Sequence, residues 1–90
     1  MNKLNFGDAV KALKDGKKIQ RQGWNGKGMY LYYVPANAYP PVTEIGETLT
    51  NENGLVPYDA YIAMKTVQNT VIPWQPSQAD VLAEDWQVVE

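Results

Sequence analysis

The sequence predicts an α+β fold, in which an antiparallel sheet is packed by one N-terminal helix and a short second helix lies near the C-terminus. An early segment has apolar residues at helical spacing, and several short strand-like segments separated by turn residues follow it. A Ser-Gln-Ala-Asp helix start precedes the last of these segments. The 90 residues correspond to a single domain over 1–90, with a variable loop or arm at 35–57.

The first helix is predicted from Phe6 to Asp15. Asn5 is a suitable N-cap, Asp8 lies in the first turn, and Gly16 suits the position after the helix end. The apolar face consists of Phe6, Ala9, Val10 and Leu13.

Strands are predicted within residues 17–22, 29–34, 60–66, 70–74 and 85–89. Gln68 and Asn69 form a turn candidate, and Pro73 indicates an edge strand or a bulge. In the proline-rich and asparagine-rich segment 35–57 we expect a brief strand or edge at Thr48-Leu49-Thr50. This segment could be a lid, an arm that packs on a partner, or a tolerated insertion.

The second helix is predicted to begin after Ser77 and to continue to about Glu84. Ser77 and Asp80 have the spacing of a capping box. Val81 and Leu82 are expected to face inward. Trp86, in the closing strand, is expected in the core.

Composition excludes several function classes. The chain has no cysteine and no histidine, which excludes zinc held by thiolate or imidazole and any Ser-His-Asp or Cys-His mechanism. A net charge of -2 argues against binding to duplex DNA or anionic membranes. No apolar run approaches the roughly 20 residues of a membrane span. We expect a cytoplasmic protein with no cofactor and with neither DNA nor a membrane as a partner.

Residues 21–28 combine three glycines with two cations and an indole. Glycines allow a turn whose backbone N–H groups form an anion nest. Arg21 and Lys27 add positive charge, and Trp24 offers a flat face to a base or sugar. The alternative is a plain turn between two strands, with Trp24 packed over it as a core residue.

A second candidate segment surrounds Trp74, which lies three residues before the predicted N-cap Ser77. Ser77 and Gln78 lie at a helix start, where free N–H groups can meet a phosphate or ribose. If this loop meets the glycine-rich loop, Trp24 and Trp74 form an aromatic clamp. The structural alternative is that Ser77 only caps the helix.

Asp80, Glu84 and Asp85 cluster in sequence, and Asp80 and Glu84 are spaced to share a helical face. Neighbouring carboxylates can serve as a general acid and base, or can hold a divalent metal with substrate phosphates. They also commonly cap a helix or lie in water. An enzyme that hydrolyses or cleaves a nucleotide with these residues is therefore an alternative function.

Several blocks occur in a characteristic order. They are Asn-Phe-Gly-Asp-Ala at 5–9, Leu-Lys-x-Gly-Lys-Lys at 13–18, Arg-x-Gly-Trp-Asn-Gly-Lys-Gly-Met at 21–29, Met-Lys-Thr at 64–66, Pro-Trp at 73–74, Ser-Gln-x-Asp at 77–80 and Leu-Ala-Glu-Asp-Trp at 82–86. Together they resemble a small phage and prophage family, the second type of Thoeris anti-defence protein. The resemblance covers nearly the whole chain except 35–57.

The resemblance implies a non-enzymatic sponge that binds the cyclic ADP-ribose-type signal made by bacterial TIR-domain defence proteins. Some members of the family bind cyclic di- or trinucleotides. It also implies a homo-oligomer, commonly a tetramer, with ligand pockets at subunit junctions. A structural homo-oligomeric module without a ligand is a further alternative.

Carried onto this chain, the resemblance implies ligand-binding roles for matching residues. They are Arg21, Trp24, Asn25, Gly26, Lys27, Trp74, Ser77, Gln78 and Asp80. The two indoles are expected to stack on a purine, and residues 77, 78 and 80 to meet ribose or base edges. The chain departs from the family at Val67-Gln68-Asn69 and at Gln75-Pro76, which bears on ligand identity more than on the fold.

Overall fold

The computed structural model describes residues 3–24 and 28–89 and confirms the α+β prediction. In chain order the elements are α1 (Phe6–Lys14), β1 (Lys18–Arg21), β2 (Tyr30–Val34), β3 (Asn37–Tyr39), α2 (Glu44–Glu47), β4 (Val56–Tyr58), β5 (Tyr61–Lys65), β6 (Val71–Pro73), α3 (Gln78–Leu82) and β7 (Trp86–Val89). A five-stranded antiparallel sheet has the order β6-β5-β2-β1-β7. Strands β3 and β4 form a separate two-stranded sheet.

Helix α1 begins where its capping residue predicts and ends one residue earlier than predicted. The Asn5 side chain accepts a hydrogen bond of 2.8 Å from the Asp8 backbone N–H, which satisfies one of the free donors of the first turn. Gly16 follows with a φ of 88°, a conformation that glycine adopts without strain. The helix therefore stops one residue before the predicted Asp15.

The core lies between α1 and one face of the five-stranded sheet. Its buried members are Ala9, Ala12, Leu13, Ile19, Leu31 and Trp86. Ile19 lies opposite Leu31, and Leu31 lies opposite Met64, so these side chains point to the same face. Side chains at alternate positions, among them Lys18, Tyr30 and Lys65, belong to the other face of the sheet.

One edge of the sheet is formed by β6 and the other by β7. Of the two alternatives that Pro73 indicated, an edge strand or a bulge, the structure has the edge strand, since a proline cannot donate to a further strand. The turn before it is also as predicted. Asn69 has a φ of 65°, a left-handed conformation that asparagine tolerates.

The strand predicted at Thr48-Leu49-Thr50 is wrong. Thr43 accepts a hydrogen bond from the Gly46 N–H and starts the short helix α2, and Thr48 ends it. The Thr48 hydroxyl donates to the Ile45 carbonyl at 2.6 Å. Local side-chain bonds of this kind compete with strand formation. Residues 35–57 instead contribute β3, α2 and part of β4.

The C-terminal helix is shorter than predicted, and its apolar residues face outward. It ends at Leu82 because Ala83 adopts an extended conformation, with φ -70° and ψ 150°. Val81 is 43% exposed and Leu82 is 76% exposed, so the expectation that they face inward is wrong. The early helix end directs the chain into β7, where Trp86 is fully buried as predicted. None of the helices in the described ranges is long and apolar enough to cross a membrane.

Candidate functional site

Both predicted indole-bearing loops reach the same residue, Trp86. The Trp24 ring lies 5.6 Å from the Trp86 ring, between centroids, at an interplanar angle of 78°. The Trp74 ring lies 5.9 Å from it at 87°. Such edge-to-face contacts are favourable between aromatic rings. Trp24 and Trp74 are each half-buried and pack against the core.

Hydrogen bonds hold the Trp86 ring and the backbone of Trp24 and Trp74 in place. The Trp86 Nε1–H donates to the Asp80 carbonyl at 3.0 Å. The Trp74 N–H donates to the Ile62 carbonyl at 3.0 Å, which ties the residue after β6 to β5. The Trp24 N–H donates to the Arg21 carbonyl at 3.2 Å. The backbone of Trp24 and Trp74 is therefore fixed by these bonds, and their rings pack against Trp86.

Arg21 does not provide uncompensated charge at this site. Its Nη1 lies 3.0 Å from Asp80 Oδ1, and its Nε lies 3.0 Å from Asp85 Oδ1. Hydrogen bonds to Asp85 and then to Asp80 raise the pKa of the Arg21 guanidinium. Two carboxylates thus face one cation, which weakens the expected role of Arg21 in attracting an anion.

Both carboxylate oxygens of Asp80 accept hydrogen bonds. Its Oδ1 accepts from Arg21, and its Oδ2 accepts from the Ser77 N–H at 2.9 Å. The Ser77 Oγ in turn accepts from the Asp80 N–H at 3.1 Å, so the predicted capping box is present. Burial acts to raise the pKa of Asp80, but the hydrogen bonds from Ser77 and Arg21 outweigh it and lower that pKa.

These bonds bear on the catalytic alternative. A general acid or base works best with a pKa near the operating pH, whereas the pKa of Asp80 is shifted away from neutrality. The Ser77 hydroxyl is engaged in the cap. Within residues 3–24 and 28–89, no group of three or more carboxylates is arranged to hold a metal ion.

Gln78 is the first residue of α3 and is exposed, and Glu84 is exposed after the helix. The predicted site residues Asn25, Gly26 and Lys27 lie outside the described residues. Of the predicted set, the structure brings together Arg21, Trp24, Trp74, Ser77 and Asp80, around Trp86.

An apolar groove lies apart from the indoles. One part, of about 250 Å³, is lined by Tyr58, Tyr61, Val71, Ile72 and Pro73. An adjoining part, of about 280 Å³, is lined by Tyr39, Pro40, Val42, Tyr58 and Tyr61. We call this the tyrosine groove. No local pattern in the sequence predicts that β4 lies next to β5 and β6.

The comparisons with known proteins match nearly the whole chain. The Thoeris anti-defense 2-like domain family matches residues 4–89. A curated relative, Thoeris anti-defense 2 of Bacillus phage SP01, is 38% identical over 87 residues, which are 97% of this chain and 96% of the relative. These matches support an anti-defence role. The chain belongs to the Thoeris anti-defense 2-like family.

Proposed function

We propose that this protein sequesters a cyclic nucleotide immune signal without altering it, and thereby blocks bacterial anti-phage defence. A glyco-cyclic ADP-ribose is the ligand class we favour, and a cyclic oligonucleotide is the second. The place of action is the cytoplasm of the infected bacterial cell. Family membership supports the anti-defence role. The observation that carries the binding mode is the convergence of Trp24 and Trp74 on Trp86.

In this proposal Trp24 and Trp74 provide stacking surfaces for the ligand. Stacking of a base on an aromatic side chain contributes about 1–3 kcal/mol. Gln78 is exposed, lies four residues after Trp74 and offers amide donors and an acceptor to a ribose or base edge. Asn25, Gly26 and Lys27 complete the proposed ligand set through backbone N–H groups, an amide and a cation.

The proposal assigns Arg21, Ser77 and Asp80 mainly to positioning. Each is held by the others through the ion pair and the capping box. Asp80 has neither a free oxygen among its described contacts nor a pKa near neutrality. This arrangement favours a binding protein over a hydrolase that uses Asp80, Glu84 or Asp85.

We further propose that the protein acts as a homo-oligomer, with a tetramer as the expected state, and that a second copy covers the tyrosine groove. The groove adjoins the edge strand β6, and Tyr58, Tyr61 and Val71 are 49%, 44% and 52% exposed. Contiguous exposed apolar side chains of this kind are typical of protein interfaces. Analytical ultracentrifugation of the wild type and of Tyr61→Glu tests the assembly. The mutant should sediment as a smaller species, and a wild-type monomer would contradict the proposal.

The binding proposal is tested by ligand recovery. The protein is incubated with glyco-cyclic ADP-ribose, separated from free ligand and denatured, and the released compound is analysed by mass spectrometry. Intact ligand in the bound fraction supports sequestration, whereas a cleaved product would establish the enzymatic alternative. Absence of bound ligand for this compound and for a panel of cyclic oligonucleotides would reject the proposed site.

Variants locate the binding. Trp24→Ala and Trp74→Ala should each weaken binding, because each removes one stacking surface. Leu49→Ala, which changes another exposed apolar residue outside the site, serves as the control. If Trp24→Ala disrupts assembly and leaves ligand binding unchanged, the indoles serve the structural module instead.

A further inference from the structure

The face of the sheet opposite α1 carries two lysines beside one tyrosine ring. The Lys18 Nζ lies 4.9 Å from the centroid of the Tyr30 ring, and the Lys65 Nζ lies 5.8 Å from the same centroid. Lys65 is directly opposite Tyr30 in the pairing of β2 with β5. The two lysines lie on β1 and β5, the strands on either side of β2, and both ammonium groups therefore approach the same ring.

The position of Lys65 is fixed by the end of the glycine-rich loop. Its Nζ donates a hydrogen bond of 2.8 Å to the Gly28 carbonyl. Gly28 has a φ of 78°, and a Cβ at this position would lie 3.1 Å from the Lys65 Nζ. This close approach favours glycine, since a larger residue would crowd the ammonium group. An ammonium group has three donors, so Lys65 keeps two for another partner.

The charge of this cluster is not balanced by the described residues. The ion pairs found within residues 3–24 and 28–89 join Arg21 to Asp80 and Asp85, and neither Lys18 nor Lys65 takes part in one. Attraction between each ammonium group and the ring partly offsets the repulsion between the two lysines. Two ammonium groups beside one ring make this part of the sheet surface positive, which favours an anion bound there.

The cluster is also accessible. The core and α1 lie on the other face of the sheet. Lys18 is exposed, while Tyr30 and Lys65 are half-buried. The Tyr32 ring lies 6.2 Å from the Tyr30 ring, between centroids, and extends the aromatic surface along the strand. A ligand that carries a phosphate next to a planar ring matches this combination of cations and aromatic surface.

We propose that Lys18, Tyr30 and Lys65 form a binding site for a phosphate-bearing ligand, on the face of the sheet opposite the three indoles. The two ammonium groups bind the phosphate oxygens, and the tyrosines contact the attached ring. The site is independent of the proposed function, because it shares none of the residues assigned to ligand binding there.

Isothermal titration calorimetry at low ionic strength tests the site with inorganic pyrophosphate, ADP and adenosine. Pyrophosphate and ADP should bind and adenosine should not, because the phosphates carry the interaction. Binding of ADP but not of pyrophosphate would show that the ring dominates and would overturn the assignment of the lysines. Affinity should fall as salt is added, since the interaction is between exposed charges.

A matched pair of double variants separates the site from general charge. Lys18→Gln/Lys65→Gln should reduce the affinity for pyrophosphate about tenfold or more, because it removes both charge-assisted contacts. Lys11→Gln/Lys14→Gln removes the same charge from α1 and should leave the affinity nearly unchanged. Equal losses in the two variants, no loss in the first, or no pyrophosphate binding by the wild type would overturn the proposal.

Two further variants serve as controls. One tests whether a loss of binding is only a consequence of misfolding, and the other distinguishes this site from the proposed indole site. Lys18→Gln alone keeps the bond between Lys65 and Gly28, and it should still weaken pyrophosphate binding severalfold. Trp24→Ala should leave pyrophosphate binding intact even if it abolishes binding of the cyclic nucleotide. Loss of pyrophosphate binding in Trp24→Ala, with the fold retained by circular dichroism, would place the phosphate site at the indoles instead.

Discussion

Asp80→Asn is the substitution that most directly tests how the candidate site is held together. It keeps the size of the side chain and an oxygen that can accept from the Ser77 N–H, but it removes the negative charge. That charge faces the Arg21 Nη1 at 3.0 Å and lies in the first turn of α3. The variant therefore isolates the electrostatic part of the capping box and of the ion pair.

We expect Asp80→Asn to lower the free energy of unfolding by about 1 kcal/mol at pH 7. A carboxylate at a helix N-terminus contributes about 0.3–1 kcal/mol. A partly exposed ion pair contributes about 0–1 kcal/mol after screening by solvent. In a chain of this size, 1 kcal/mol corresponds to a fall in Tm of roughly 4–8 °C.

The effect should depend on pH in a defined direction. The pKa of Asp80 is lower in the folded chain than the ordinary value of about 3.9 for the unfolded chain. The stabilisation is therefore fully present above the unfolded pKa and is lost as the pH falls through the folded pKa. The difference between wild type and Asp80→Asn should be constant from pH 7 to pH 5 and should shrink below about pH 4.

Urea unfolding followed by circular dichroism at pH 7, 5, 4 and 3 measures this difference. Glu52→Gln changes the same charge at an exposed position in the arm and should alter stability by less than about 0.5 kcal/mol. Equal stability of Asp80→Asn and wild type at pH 7 would refute the structural role of Asp80. So would a difference that persists unchanged at pH 3.

Three other substitutions test the fold. Trp86→Ala should lower the free energy of unfolding by about 3–5 kcal/mol, because it leaves a cavity in the centre of the core. Circular dichroism should show an unfolded or marginally folded chain, whereas Trp86→Phe should remain folded. Gly28→Ala should lower the free energy of unfolding by about 1 kcal/mol or more in a urea titration, because the φ of Gly28 is positive and a Cβ there would approach Lys65. Gly23→Ala, with open space around it, should be nearly neutral. Equal effects of the two substitutions would contradict this explanation. Asn69→Ala should lower the free energy of unfolding by about 1 kcal/mol, the cost of a left-handed residue, and Asn69→Gly should not. Thermal unfolding measures both, and an unchanged Tm in Asn69→Ala would contradict the strain argument.

Local signals predicted the helix starts well. Asn5 and Asp8 are three residues apart, as are Ser77 and Asp80, and both caps form as predicted. Their bonds depend on backbone geometry within a single turn, so sequence spacing is sufficient. The strand within residues 29–34 was likewise predicted, because its aromatic and β-branched residues favour an extended backbone.

Contacts between residues far apart in the chain could not be predicted from the sequence. Arg21 lies 59 residues from Asp80 and 64 residues from Asp85, and nothing in the local pattern of a glycine-rich loop predicts those partners. The residue types alone favoured an anion-binding role for Arg21. That expectation did not account for β7, which pairs with β1 and brings Asp85 close to the guanidinium.

Competition between local preferences explains the error at residues 48–50. Thr48-Leu49-Thr50 has strand-forming residues, but the cap at Thr43 and the hydroxyl bond of Thr48 favour a short helix. Val81 and Leu82 are apolar yet exposed, and the contacts of α3 within the chain do not explain this.

Trp86 links the stability of the fold to the geometry of the candidate site. Its ring contacts both Trp24 and Trp74, and its Nε1–H bonds to the carbonyl of Asp80, whose side chain is held by Arg21. A ligand that stacks on the two outer indoles would therefore meet rings already held by the core. Little ordering would be needed on binding, and less of the interaction energy would be lost to it. Because Trp86 supports both outer indoles, weakened ligand binding in a Trp86 variant would indicate that Trp24 and Trp74 have moved, and not that a direct contact with the ligand was lost.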